Sequence, residues 1–162
     1  MLSKKMEKAL NGQVNAELYS AYIYLSMSAN FTAQNWLGCA HWMSVQSKEE
    51  QMHAMKIYDF ILACTGKVTL EQVAKPPTQW PTPLEAFEGA YAHELKVTGM
   101  IHDLVNQAQA EKDHATNAFL QWFVTEQVEE EAQTLLIVEQ LKLIGASKGS
   151  MFMLDHQIGK RE

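Results

Sequence analysis

The chain is poor in the residues that usually interrupt or cross-link a fold. Only two of its 162 residues are cysteine, Cys39 and Cys64, without Cys-x-x-Cys spacing. This argues against a disulfide scaffold and a thiolate zinc site, and makes a reducing cytoplasm the expected compartment. All four prolines, Pro76, Pro77, Pro81 and Pro83, fall in one short segment, so the rest of the chain is free of helix breakers. Basic residues are outnumbered, 13 Lys and Arg against 19 Asp and Glu, for a formal charge of −6. Nucleic acid is therefore not an expected partner, and a mildly acidic surface suits cations better. The charged opening Ser3-Lys4-Lys5-Met6-Glu7-Lys8 has no apolar run behind it, so no signal peptide is expected.

The most conspicuous absence is local. No Asp, Glu, Lys or Arg occurs from Leu18 to Ser47. That is long enough to raise the question of a membrane span, but Ser20, Ser26, Ser28, Asn30, Thr32, Gln34, Asn35 and Gln46 interrupt it too often for lipid. Two helices joined by a turn near Phe31–Asn35 account for it better. Tyr19, Tyr22 and Ile23 then extend apolar character to an outer face, the pattern of a helix covered on more than one side. Extensive contacts between subunits are the expectation.

What remains is long helical pattern. A first helix is expected over about Ser3–Asn30 and a second over about Trp36–Thr65, with Gly66 as its C-terminal cap. Thr82-Pro83-Leu84-Glu85 reads as a helix start, with Thr as N-cap, Pro in the first turn and Glu completing a capping box. The third helix runs to about Glu111, a tight turn follows at Lys112–His114, and the fourth runs to about Ile144, before Gly145. Ser147 caps a short fifth helix reaching about Ile158. Short turns make the first and third helices antiparallel to their successors. The connection 66–82 is different. About 17 extended residues reach roughly 56 Å, more than the roughly 42 Å length of a helix of about 28 residues. It can travel the whole bundle and leave the second and third helices parallel. The expectation is an all-α, single-domain four-helix bundle over residues 1–162 with one long crossover.

The inward seams carry the chemistry. On a 3,4 spacing they read Leu10, Val14, Glu17, Ala21, Tyr24; then Met43, Gln46, Glu50, His53, Ile57, Phe60, Cys64; then Phe87, Tyr91, Glu94, Thr98, Ile101, Val105; then Leu120, Phe123, Gln127, Glu130, Thr134, Ile137, Leu141. One acid interrupts each apolar seam near its middle, and the topology brings Glu17, Glu50, Glu94 and Glu130 to one level. Burying unpaired carboxylates costs several kcal/mol each, and no Lys or Arg stands inward to neutralise them. Protonation relieves part of that cost. Divalent metal relieves more, and explains His53, which shares a helix face with Glu50. Carboxylates with one imidazole and no thiolate suit Fe(II) or Mn(II), with Zn(II) a competitor. A lone seam glutamate is more often an interface residue; four at one level are not.

These residues resemble a known family. Asn15-Ala16-Glu17-Leu18-Tyr19-Ser20, Lys48-Glu49-Glu50-Gln51-Met52-His53, Glu94 and Glu126-Gln127-Val128-Glu129-Glu130 are similar to the ferroxidase motifs of bacterial non-haem ferritins. The resemblance covers essentially the whole chain and implies a ferritin-like four-helix bundle. It implies that Glu17, Glu50 and His53 hold one iron. Glu50 would bridge to a second iron held by Glu94 and Glu130, with Gln127 beside it. Glu49, Glu126 and Glu129 match a third, outer iron position. Glu126 faces Glu129 and Glu130 at i,i+3 and i,i+4, a repulsive spacing that a cation relieves. Tyr24, on the Glu17 face, becomes a candidate hydrogen-bond partner or electron donor. The resemblance also implies a shell of twenty-four copies with the fifth helix on fourfold axes, which oxidises Fe(II) with O2 or H2O2 and deposits ferric mineral inside for iron storage and detoxification.

Departures from neighbouring families narrow this further. Bacterioferritins and rubrerythrins carry a second Glu-x-x-His on the fourth helix, where this chain has Gln127-x-x-Glu130. Bacterioferritins ligate haem through a Met directly after the bridging Glu, where this chain has Gln51, so no haem is expected. The cysteine-rich module of rubrerythrins is absent, and the chain supplies a full ligand set by itself, unlike mini-ferritins. His93 points about 100° away from Glu94 and is not expected to be a ligand. Trp122 and Phe123 are read as packing. Two other readings stand beside storage: a di-iron enzyme acting on a small substrate or peroxide, and a structural bundle whose seam acids stay neutral or pair with a partner protein.

Overall fold

The computed structural model describes residues 2–162. Five helices follow one another: α1 (Lys4–Ala33), α2 (Leu37–Ala63), α3 (Pro83–Ala110), α4 (His114–Ile144) and α5 (Lys148–Ile158). Ser3, Thr82, Asp113 and Ser147 cap the starts of α1, α3, α4 and α5 with side-chain oxygens that accept first-turn N–H groups. Trp36, before α2, has no such oxygen. Asp155 of α5 supplies it from a distance, accepting from the N–H groups of Gly38 (3.0 Å) and Cys39 (2.8 Å). A side chain on Gly38 would collide with the Asp155 carbonyl, which lies 1.7 Å from where its Cβ would stand. Glycine there lets α5 seat against the start of α2.

Three helices end in the same way. In each, the residue after the C-cap takes positive φ: Asn35 (64°), Thr65 (57°) and Lys112 (56°). The next N–H reaches back to a carbonyl five residues earlier: Trp36 to Phe31, Gly66 to Ile61, Asp113 to Ala108. This corrects three expected boundaries. The first turn lies at 34–36 rather than Phe31–Asn35, because Phe31 is fully buried and stays helical. Gly66 is not the left-handed residue; Thr65 is, and Gly66 is instead hemmed in by Ile61 and Glu7. His114 opens α4 rather than closing the turn, because Asp113 takes the cap.

The crossover is fixed to α1 by polar side chains. Asn11 bonds the backbone of Lys67 and Thr69, Asn15 the carbonyls of Glu71 and Gln72, Ser26 that of Pro77, and Asn30 and Gln34 that of Trp80. It therefore runs the length of α1, from its first turns to its last, and leaves α2 and α3 parallel. No helix among the described residues is long and apolar enough to cross a membrane.

The apolar core is divided in two. One cluster contains Tyr24, Phe31, Met43, Phe87 and Ile137; the other contains Leu10, Val14, Ile57, Ile101, Leu120 and Phe123. Glu17, Glu50, His53, Glu94, Gln127 and Glu130 are buried at the positions between them on α1 to α4. The expected seams of α1 and α4 are buried throughout. Those of α2 and α3 drift: Ile61 replaces Phe60 and Cys64, while Ala90, Val97 and Leu104 replace Tyr91, Thr98 and Val105. In α2 an extra four-residue step at the end reflects the slip of a straight helix from a 3.5-residue repeat, whereas α3 keeps a seven-residue repeat but buries the residue three after Phe87, Glu94 and Ile101 instead of four. Ile23, expected on the outer face, belongs to the core, whereas Tyr22 is half exposed.

Candidate metal centre

Each of the four long helices contributes one buried acid to the layer between the clusters. The seam places it there, and a neighbouring amide or hydroxyl orients it. Gln13, one turn before Glu17, donates to Glu17 Oε1 (2.7 Å). Gln46 Nε2 donates to both Glu50 Oε1 (2.9 Å) and Glu130 Oε2 (2.7 Å). Tyr24 donates its phenol proton to Glu94 Oε1, and Gln127 Nε2 donates to Glu94 Oε2 (3.2 Å). Every one of these donors is neutral.

Burial, above all, raises the proton affinity of all four acids. For Glu17 and Glu50 it lifts the pKa well above the usual carboxylate range, and neighbouring carboxylates add to it. Glu94 is raised by burial against the hydrogen bonds from Tyr24 and Gln127. Glu130 is raised to about 7 by burial and then by the charge of Glu94. Burial likewise holds the Tyr24 phenol in its neutral form. Glu17 Oε2 is buried with no donor group facing it, and what lies within its reach is another carboxyl, Glu50. Such an oxygen is costly unless something electropositive meets it.

Ligand atoms converge in three overlapping groups, each within 4.8 Å: Glu17, Glu50 and His53; Glu50, Glu94 and Glu130; and His53, Glu126 and Glu130. Glu50 belongs to the first two, which gives it the position of a bridge. His53 Nδ1 lies 3.4 Å from Glu50 Oε2, and its Nε2 lies 3.8 Å from Glu126 Oε1.

The comparisons with known proteins agree over the whole length. A model of the ferritin-like domain matches residues 7–144. The bacterial non-heme ferritin of Bacteroides fragilis is 44% identical over 161 residues, covering 99% of this chain and 100% of the relative. That of Campylobacter jejuni is 37% identical over 158 residues, covering 98% and 95%. The chain belongs to the ferritin family. Among solved structures, an open-pore ferritin from the hyperthermophilic archaeon Archaeoglobus fulgidus superposes with a TM-score of 0.99 at 52% identity, each chain covered in full.

Within that ferritin fold, the nine residues singled out as ligands fall into three classes. Glu17, Glu50, His53, Glu94 and Glu130 come together, joined by Glu126 at the rim. Gln127 reaches the centre through its hydrogen bond to Glu94. Glu49 and Glu129 lie in none of the groups: Glu129 is exposed, and Glu49 pairs with Arg161. His93 turns away to Ser20, 2.8 Å from its hydroxyl, and burial lowers its pKa to about 4.

Sequence reasoning gave no role to Gln13, Gln46 or Arg161. The two glutamines were detectable, since each lies four residues before a seam acid and can reach it along the helix. Arg161 left no local signal, because it arrives from beyond α5.

Proposed function

We propose that the chain is a ferroxidase subunit that oxidises Fe(II) at a two-iron centre and passes the ferric product into a stored mineral. The observation that carries this reading is the pair of ligand groups sharing Glu50, built from all four helices around an oxygen of Glu17 that no donor group faces. Glu17, Glu50 and His53 would hold one iron, and Glu50, Glu94 and Glu130 the other, with Gln127 orienting Glu94. The iron is substrate. Each Fe(II) gives up one electron, and O2 accepts the pair with two protons and leaves as H2O2. With H2O2 as oxidant, the same two electrons and two protons break its O–O bond and yield two waters. Tyr24 holds Glu94 in place through its hydrogen bond.

The proposal extends to assembly and location. Tyr22, Leu25, Leu136, Leu143, Phe152 and Met153 are exposed and apolar on a single chain, and a hollow shell of identical copies, twenty-four by family resemblance, would cover such surface. The full chain acts as one unit in it, and the free thiols Cys39 and Cys64 suit the cytoplasm.

The test is iron retained per chain after aerobic Fe(II) addition, read across a size-exclusion column. Iron far above the two or three ions the ligands hold, co-eluting with a large particle, is expected. Iron stopping at about two per chain on a small oligomer would move the function to a di-iron oxidase. Glu50→Ala with His53→Ala should abolish rapid oxidation, a loss of at least ~100-fold, while the particle elutes unchanged. Wild-type kinetics in that variant would refute the site assignment.

A further inference from the structure

Arg161 lies beyond α5 in sequence but reaches the centre in space. Asp155 and the close approach of Gly159 to Gly38 seat the end of α5 on the start of α2. His41 Nε2 then lies 2.8 Å from the Arg161 carbonyl. From there the Arg161 side chain crosses the face of Trp42, 4.3 Å from the ring centroid. Its two terminal nitrogens diverge. Nη1 donates to Gln46 Oε1 (2.7 Å), and Nη2 pairs with the Glu49 carboxylate. His41, Trp42, Gln46 and Glu49 follow one stripe of α2, so the segment lies along a single helix face.

Both contacts bear on metal ligands. Gln46 spends its N–H group on Glu50 and Glu130, and Arg161 satisfies its oxygen, so the orientation of that amide is fixed from both ends. Glu49 lines the same cleft, of about 510 Å³, as His53 and Glu126. Its charge is near enough to raise the proton affinity of Glu130. Yet it is missing from the outer group of His53, Glu126 and Glu130, and its carboxylate is paired with the guanidinium instead. Arginine stays charged at any physiological pH, and its fork matches a carboxylate and an amide oxygen at once.

We propose that Arg161 is a positioning residue, a tethered cation that withholds Glu49 from the outer metal position and keeps that position weaker than the two inner ones. Metal entering the cleft meets Glu126 and Glu130, with His53 free to join them only while the inner position it shares with Glu17 and Glu50 is empty. A weak outer site lets an ion pass inward or leave, where a fourth hard ligand would trap it. The inference rests on the two-metal reading of the inner site.

Zn(II), which cannot be oxidised, separates binding from turnover. Metal-free assembled protein is titrated with Zn(II) by calorimetry as wild type, Arg161→Ala, Glu49→Gln and the double variant. The third and weakest Zn(II) per chain should bind about tenfold more tightly in Arg161→Ala. Glu49→Gln alone should leave it within about threefold of wild type, and the double variant should lose the gain. An unchanged third site in Arg161→Ala overturns the tether. So does a gain that survives in the double variant, or a third site that collapses in Glu49→Gln alone. Fewer than two Zn(II) per wild-type chain would instead overturn the inner-site reading.

Discussion

Glu130→Gln in the metal-free protein tests the energetics of the acid layer most directly. The folded-state pKa of Glu130 is raised from 4.5 to about 7 by burial and by the charge of Glu94. A group held more protonated in the folded state contributes stability that is complete below its unfolded pKa. That stability is lost as pH rises through the folded one. Each tenfold change in a proton equilibrium is 1.4 kcal/mol, so the displacement amounts to roughly 3 kcal/mol in all, about 2 of it between about pH 5 and about pH 7.5. For a chain of this size that corresponds to a fall on the order of 5–10 °C in melting temperature. Glutamine keeps the acceptor for Gln46 and cannot ionise, so the variant should lack this part of the pH dependence. Calorimetric melting of chelator-treated protein across that window, wild type against Glu130→Gln, measures it. Saturating Zn(II) should reverse the sign in wild type, because metal binding requires the ionised acid and releases its proton. Parallel melting profiles for the two metal-free proteins would refute the reasoning.

Other perturbations follow from single contacts. Tyr24→Phe removes one of the side-chain donors that lower the pKa of Glu94; initial Fe(II) oxidation rates should fall by about tenfold or less, with the rising limb of the pH–rate profile displaced upward. Thr65→Gly should stabilise the chain by about 0.5–1 kcal/mol in denaturant unfolding, because a β-branched residue is strained at the observed φ of 57°. Gly38→Ala drives a methyl group into the Asp155 carbonyl; hydrogen exchange across α5 should accelerate at least ~30-fold while α3 keeps its protection, since the clash lifts α5 off the start of α2.

The bundle was legible in the sequence because its signals are redundant. Proline is confined to one connection, turn residues mark the other helix ends, and an acid interrupts each of four apolar seams, so a small slip in any one seam leaves the layer intact. The boundary errors were of one kind. Asn35, Thr65 and Lys112 take a left-handed conformation that sequence preference assigns to glycine, and the six-residue hydrogen-bonded ring around each of them enforces it. Contacts between remote segments were not legible at all. The Asp155 cap on α2, the polar anchoring of the crossover on α1 and the path of Arg161 depend on where chain ends meet after the helices pack. No local periodicity reports that.

The choice of neutral donors around the acids has a consequence for what the centre holds. Glu17, Glu50, Glu94 and Glu130 carry four negative charges when ionised, and His53 adds none in its metal-binding form. On the proposed reading, two Fe(II) ions would balance that charge in full. Gln13, Gln46, Gln127 and Tyr24 orient the carboxylates without offsetting them, so an empty layer must take up protons, which is what the raised pKa values express. Oxidation adds two positive charges that no remaining side chain of the layer can meet. Hydroxide or oxide derived from water or the oxidant must meet them, and ligands of that kind weaken the hold of the carboxylates on a ferric pair. A protein retaining iron as a permanent cofactor would gain from further anionic ligands at this level. Here Glu126 stands only at the rim, and Glu49 beyond it is tied to Arg161. On the proposed two-iron reading, the added charge is met by oxide or hydroxide and not by the chain, which suits a site through which iron passes.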